Sequence, residues 1–303
     1  MQVTGSQDFA ADPRNDNLLI WLNGALVHRA AALVSVFDAG FVLGDGVWEG
    51  LRLHHGRLLF LDAHLDRLFA SAAAIGLDMQ LTRAEFAAAL AETCAANGME
   101  DGAHLRLMVT RGEKKAANQD PRNALGRPTI VILAEYKQPA PALRTTGLRL
   151  HTAGIRCTPP DMFDMRINSH SRLPLILALN EAIAAGADEA LMRDPAGNIA
   201  SCNATNFFWV VDGELRTSSG AFCFNGITRA NVLAVARAAG MAVTEGDFAP
   251  DDLLAASEAF VTGTFGGLTP VAAIDGRSMP HPLPGPVTAR LIDLYNALKD
   301  SGA

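Results

Sequence analysis

The sequence predicts a mixed α/β protein in two lobes, and three observations carry that prediction. Apolar residues alternate at strand spacing in some runs and recur at helix spacing in others, in both halves of the chain. Tight-turn pairs, Asn23-Gly24 and His55-Gly56, separate short apolar runs. A segment carrying Pro139 and Pro141 interrupts the pattern near the middle. With 303 residues, 49% of them apolar, the chain is long enough for two ordinary cores.

The elements follow in order. Residues 1–17 are polar, lack the basic-then-apolar order of a signal peptide, and read as a loose leader. Residues 18–137 read as an α+β domain. It opens with the Asn23-Gly24 hairpin, continues with a strand pair at 47–53 and 57–60, and then has a helix at 61–75. A second helix spans 82–97, with Thr82 as cap and Glu85 three residues on. Strands at 103–110 and 129–135 flank a polar, lysine-bearing loop. Residues 138–146 have linker composition, and residues 147–303 form a second α/β domain. There, strands at 148–153, 189–193, 207–211, 214–216 and 258–262 mix with helices at 172–185, 229–239 and 286–299. Pro174 falls in a first helical turn, where its missing N–H costs little.

Composition removes several function classes. The net charge is −7 and the basic residues are scattered, which argues against nucleic acid or an anionic membrane as partner. The longest apolar candidate, residues 173–185, is broken by Asn180 and Glu181, so no membrane span is expected. Cys94, Cys157, Cys202 and Cys223 form no CxxC pair and read as reduced thiols of a cytoplasmic protein. His54 and His55 adjoin without completing a ligand set, so no metal is expected.

Two stretches are built to hold an anion. Asn225-Gly226-Ile227-Thr228-Arg229 precedes a helix, whose start offers free N–H groups and a positive dipole end, with Thr228 placed to cap. Thr262-Gly263-Thr264 ends a strand and combines close backbone approach with two hydroxyls. Either one alone is also what an ordinary capped helix or loop looks like.

Their company is informative. IWLNG, VSVFDAGFVLGDGVWEG, RLLFLDAHLDRLFASA, HLRLMVTRG, ADEALMRDPAGNIAS, NFFWV, GITR and EAFVTGT follow one another in that order. This pattern, across residues 20–295, resembles the class IV (fold-type IV) pyridoxal-phosphate aminotransferases, which include branched-chain and D-amino-acid aminotransferases and aminodeoxychorismate lyases. The resemblance implies an α+β N-terminal lobe, a C-terminal pseudo-barrel lobe, a homodimer, and a small-molecule site between the domains. It implies that Arg67, with His64 one turn back, grips the cofactor phosphate together with Gly226, Ile227, Thr228, Thr262, Gly263 and Thr264. It also implies that Arg106 meets a substrate carboxylate and that His54 and His104 stand on strands flanking the site. The alternative for Arg67 is a surface ion pair with Asp66 or Asp62.

Two positions depart from the pattern. The family's imine-forming lysine lies in a stretch resembling I-K-S-x-N-x-L, and here Ile167-Asn168-Ser169-His170-Ser171-Arg172-Leu173 occupies it. Asn168 stands at the lysine position, and an amide nitrogen has no free lone pair with which to form an imine. Ser201 stands where the family carries the glutamate that protonates the cofactor ring nitrogen. The chain's lysines, Lys114, Lys115, Lys137 and Lys299, lie in a loop, the linker and the C-terminus, and none is expected to substitute.

The resemblance therefore implies pyridoxal phosphate that is not covalently bound if it is present, or a pocket that holds none. His170 has the chemistry of a general acid or base, although a histidine at a helix start is also often a cap. Arg172 can clamp a carboxylate or phosphate. Cys202 and Asn203 are expected beside Ser201, with packing as the plainer role for the cysteine. Three functions stay open. One is an enzyme of this family that handles a small amino or keto acid, or another phosphate- or carboxylate-bearing ligand, without a lysine imine. The others are a conventional branched-chain or D-amino-acid transaminase with an unusual base, and a non-catalytic ligand-binding protein.

Overall fold

The computed structural model describes residues 5–302, so the first four residues of the expected leader lie outside the described residues. The rest of the leader is tied down. Pro13–Asn17 forms a 3-10 turn, and Asn15 exchanges hydrogen bonds with the Tyr136 backbone at 2.9 and 2.8 Å, imitating a strand neighbour. The chain divides into two compact units. The N-terminal unit comprises Ala10–Gln138 and Ile167–Arg172, and the C-terminal unit holds the remainder. The division differs from the expected boundaries in two respects: a six-residue segment beyond the linker belongs to the N-terminal unit, and residues 5–9 of the expected leader belong to the C-terminal unit.

The N-terminal unit is built on a six-stranded sheet in the order β2-β1-β6-β5-β3-β4. Its strands are β1 (Leu19–Leu22), β2 (Ala25–His28), β3 (Gly46–His54), β4 (Arg57–Leu58), β5 (Ala103–Thr110) and β6 (Thr129–Tyr136). The β1–β2 hairpin turns on Asn23 and Gly24, both at positive φ (51° and 92°), which the twist of a two-residue hairpin requires. Besides the short α1 (Ala39–Leu43), the unit has α2 (Leu61–Ala74) and α3 (Arg83–Ala96), the latter started by the expected Thr82–Glu85 capping box. Leu65, Leu68 and Ala72 of α2 and Phe86, Ala89 and Leu90 of α3 pack with Val47, Leu51, Leu105, Leu107 and Ile132 of the sheet in one core. The polar loop between β5 and β6 is more ordered than its composition suggests. Lys114 is buried there, with Nζ donating to the Asp120 carbonyl at 2.8 Å.

The C-terminal unit contains a nine-stranded sheet, β12-β11-β10-β13-β14-β7-β8-β9 with β15 on β14. The strands are β7 (Leu148–Arg156), β8 (Glu189–Arg193), β9 (Ile199–Cys202), β10 (Asn206–Val211), β11 (Glu214–Ser218), β12 (Val243–Gly246), β13 (Glu258–Gly263), β14 (Gly267–Ile274) and β15 (Arg277–Ser278). Its helices are α4 (Leu143–Thr146), α5 (Pro160–Phe163), α6 (Leu173–Ala184), α7 (Ile227–Ala238) and α8 (Pro286–Asp300). β10 is buried at every position, as befits a strand covered on both faces. Phe207, Trp209 and Val211 enter one apolar cluster with Leu191 and Cys202, while Met192 and Ala200 enter another with Ala178 and Ala182 of α6. α8 starts on a buried carboxylate: Glu258 of β13 accepts from the Val287 and Thr288 amides at 2.9 and 2.8 Å. No helix of the described residues is long and apolar enough to cross a membrane.

Candidate active site

In the N-terminal unit the chemistry gathers around Glu49. Strand alternation points Val47, Leu51 and Leu53 of β3 into the core, and Glu49 shares their register, so its carboxylate is fully buried. Arg67 of α2 grips it bidentately, Nε to Oε1 at 2.8 Å and a terminal nitrogen to Oε2 at 2.6 Å. His64, one turn earlier, lies with Nδ1 2.7 Å from Oε2. Burial raises the Glu49 pKa, but the hydrogen bonds from Arg67 and His64 outweigh it and hold the carboxyl below its ordinary range. Burial also depresses the His64 pKa, so a neutral imidazole donates from Nδ1 to an ionised carboxylate. The surface pairing considered for Arg67 is thereby replaced. Asp66 instead pairs with Arg83, and Arg67 is held by a carboxylate inside the unit.

The segment Ile167–Arg172 reaches this cluster by strand-like pairing. The Trp48 amide donates to the Asn168 carbonyl at 2.9 Å, and the His170 amide donates to the Gly46 carbonyl at 2.9 Å. Asn168 is 1% exposed. Its Nδ2 donates to the Trp48 carbonyl and lies 3.4 Å from Glu49 Oε1, and its Oδ1 accepts from Arg172. His170 holds Nε2 3.2 Å from the Val47 carbonyl, and burial lowers its pKa. An imidazole docked on a carbonyl acceptor donates there as the neutral ring. Arg106 of β5 stacks on Trp48, its guanidinium carbon 3.8 Å from the ring centroid. His104 is driven down to about 3, by burial first and then by the charges of Arg52, Lys137 and Arg106. Lys137 follows β6 directly. Burial lowers its pKa, with Glu135 opposing and Arg106 adding to the fall, so it stands nearer these groups than a linker residue was expected to.

His54 takes a different place. Its Nδ1 and that of His55 lie 3.8 and 3.6 Å from the Asp101 carboxylate, and the three side chains are the one metal-ligand-type group among the described residues. Asp101 came from a loop that sequence spacing could not connect to the histidines. The carboxylate also accepts from the Gly102 and His55 amides at 2.7 and 3.3 Å.

The two stretches expected to hold an anion lie in the C-terminal unit. Gly226 is the N-cap of α7, with no side-chain cap, so the helix starts two residues earlier than capping by Thr228 would require. The reason is Asn206, whose Oδ1 accepts from the Gly226 amide at 3.0 Å while its Nδ2 donates to the Phe224 carbonyl at 2.7 Å. Ile227 and Thr228 thus occupy the first turn. The buried Thr228 shares a hydrogen bond with the Tyr295 hydroxyl. Thr262, near the end of β13, has Oγ1 buried with no hydrogen-bond partner among the described residues. Gly263 ends that strand and Thr264 lies in the turn beyond it.

Ser201 is buried, and its hydroxyl is used internally. Oγ donates to the Thr205 carbonyl at 2.8 Å and accepts from Asn206 Nδ2 at 3.3 Å. Cys202 does not line the same wall, because neighbouring strand residues point to opposite faces. Ser201 sits opposite Met192 and Cys202 opposite Leu191, in the apolar core, where burial pushes the thiol pKa well above its usual value. Asn203 is a structural residue: its Oδ1 accepts from the Ala190 amide at 2.8 Å, and its own amide donates to the Ala190 carbonyl.

Glu49 and Trp48 were not singled out from the sequence. The signal for Glu49 was present, since a carboxylate in the inward register of an apolar strand demands a buried cation. Trp48 carried no comparable mark.

The comparisons with known proteins fit this geometry. The profile of the family described as amino-transferase class IV matches residues 46–274. The branched-chain-amino-acid aminotransferase-like protein 2 of Arabidopsis thaliana is 38% identical over 95% of this chain, yet the match covers 51% of that protein. The chain thus spans about half the length of the first curated relatives it matches. A D-alanine aminotransferase of Listeria monocytogenes is 34% identical over 90% of this chain and 93% of its own length. Among solved structures, the branched-chain aminotransferase of Thermoproteus uzoniensis with norvaline superposes with a TM-score of 0.83 at 29% identity, covering 93% of this chain and 94% of that one. By sequence and by fold, the chain belongs to the class IV aminotransferase family.

Proposed function

We propose that this class IV aminotransferase-like protein acts on a small amino or keto acid, or another phosphate- or carboxylate-bearing ligand, without forming a lysine imine. The observation that carries the reading is Asn168. Both ends of its amide are engaged, Nδ2 by the Trp48 carbonyl and Oδ1 by Arg172, where the family resemblance places an amine.

Each unit, taken by itself, meets part of what pyridoxal phosphate would need. The uncapped start of α7 and the buried Thr262 hydroxyl suit its phosphate. Ser201 gives its proton to the Thr205 carbonyl, so it does not serve as a donor to a ring nitrogen, and Asn168 offers no nucleophile for an aldehyde. Asn168 thus speaks against a cofactor held covalently at this position. The anion-binding groups remain: Ile227, Thr228 and Thr262 for a phosphate, and Arg106 and Arg172 for a carboxylate.

We further propose a homodimer and a cytoplasmic location. Leu33, Val36 and Phe41 in one unit and Leu173 and Ile176 in the other are exposed apolar side chains of the kind a second copy would cover. All four cysteines are free.

The test is an absorption spectrum of the protein with equimolar pyridoxal phosphate, followed by borohydride reduction and intact mass. The expected result is no mass increase, with or without reversible colour. A stoichiometric adduct, mapped by peptide digestion to Lys137 or any other lysine, would return the protein to lysine-dependent transamination.

A further inference from the structure

The β3–β4 hairpin carries chemistry that the proposed function does not use. His55 and Gly56 are its two turn residues, at φ 49° and 76°. Such a turn needs two positive φ angles, and asparagine ordinarily fills the first place. A histidine stands there instead, and the consequence is geometric. Along a strand, neighbouring side chains point to opposite faces. The left-handed backbone at His55 breaks that alternation and sets its ring beside that of His54, with centroids 4.1 Å apart.

Asp101 meets the pair from the loop before β5. His54 Nδ1 lies 3.8 Å from one of its oxygens and His55 Nδ1 3.6 Å from the other, and the three ligand atoms fall within 4.8 Å of one another. The ligands of a tetrahedral zinc ion stand about 3.3–3.5 Å apart, given bonds of about 2.0–2.1 Å, so small side-chain rotations close the set. The two loops are already joined. The Gly56 amide donates to the Glu100 carbonyl at 2.6 Å, and the His55 amide donates to Asp101 Oδ1 at 3.3 Å. The Gly102 amide adds a second bond to Oδ1 at 2.7 Å, fixing the carboxylate as outer partners fix the ligands of metal sites. His55 and Asp101 are exposed and His54 is partly so, which leaves the group open to an ion from solvent. The sequence offered two histidines without a third ligand, and the fold supplies one 46 residues away.

We propose that His54, His55 and Asp101 form a site for a divalent transition-metal ion of the zinc type, which clips the β3–β4 turn to the loop before β5. Two imidazoles and a carboxylate suit such an ion, with water in the remaining position. Charge alone does not make the site, because Asp101 also lies in the field of Arg52. A cation seated here gains chiefly from the imidazole nitrogens, which selects against magnesium and calcium, both oxygen-seeking. The plainer alternative is a pair of imidazoles attracted to Asp101 with no metal. The proposal does not rest on how the protein handles its small-molecule ligand.

The experiment is calorimetric titration of the full chain, stripped with a chelator, with zinc chloride at about pH 7.5, where an ordinary imidazole is neutral. One saturable site is expected. His55→Asn suits the turn and removes a ligand, so it should weaken zinc binding at least about tenfold without lowering the thermal midpoint of the metal-free protein. Asp101→Asn keeps a carbonyl oxygen for the two amides and should also weaken zinc. These variants lie in two loops, so the result does not hang on the folding of either one. His281→Asn, at an exposed histidine outside the cluster, should leave the affinity within about twofold. Zinc should raise the midpoint of the wild type and not that of His55→Asn. Three outcomes would each overturn the proposal: no saturable zinc binding below about 100 μM, affinity unchanged in His55→Asn, or magnesium binding equal to zinc.

Discussion

Two helices of the C-terminal unit begin alike and are completed differently. α7 starts after Gly226 (φ −68°, ψ 143°) and α8 after Gly285 (φ −66°, ψ 165°), both extended and both without a capping side chain of their own. At α8 the protein supplies an internal anion, since Glu258 accepts from two first-turn amides. At α7 no carboxylate does so among the described residues, and nearby Thr262 keeps a buried hydroxyl without a partner. The same positive helix end is thus neutralised by a carboxylate in one place and not in the other, which is where the proposed function puts a ligand's phosphate. The difference separates a helix start completed by a carboxylate from one without, which a sequence motif alone cannot do.

The largest effect should come from breaking the completed end. Glu258→Ala removes a buried carboxylate that serves two amides and should destabilise the chain by about 3–4 kcal/mol. Urea unfolding measures this, and a loss below about 0.5 kcal/mol would show that α8 does not depend on its anion.

The open end should respond to ligand instead. Inorganic phosphate should raise the thermal midpoint of the wild type, by the equivalent of about 2.7 kcal/mol at a hundredfold excess over its Kd. A midpoint that stays flat with phosphate would erase the distinction between the two helices.

The smallest effect sharpens the contrast. Thr262→Val conserves shape and deletes a hydroxyl that has no protein partner, so stability without ligand should hold within about 0.5 kcal/mol. Phosphate affinity should fall about fivefold in the same variant, as the loss of one hydrogen bond predicts. Equal affinity would mean that Thr262 faces no anion.

Most of the fold was legible because its signals are local. The Asn23-Gly24 hairpin, the Thr82–Glu85 capping box and the alternation of β5 all depend on neighbours within a few residues. The strands that escaped notice are short or interrupted. β9 and β12 have four residues each, and β14 contains Pro270, which lacks a donor and breaks the usual strand signal. At the site, the helix start at Gly226 and the strand end at Gly263 could be read from local sequence, whereas the Glu49 cluster could not. Glu49 meets Arg67 across 18 residues and Asn168 across 119, and no local pattern encodes the second distance. The idea that Cys202 and Ser201 share a wall failed because adjacency along a strand is separation in space.

The placement of Ile167–Arg172 has a consequence for how the molecule comes into being. The N-terminal unit lacks its last segment until residue 172 has been synthesised, although its sheet is encoded by residue 136. During translation, Trp48 and Glu49 must wait for Asn168 while the first strands of the other unit are already emerging. The two units cannot mature strictly one after the other, and a fragment ending at the linker would carry the sheet without the segment that finishes the site.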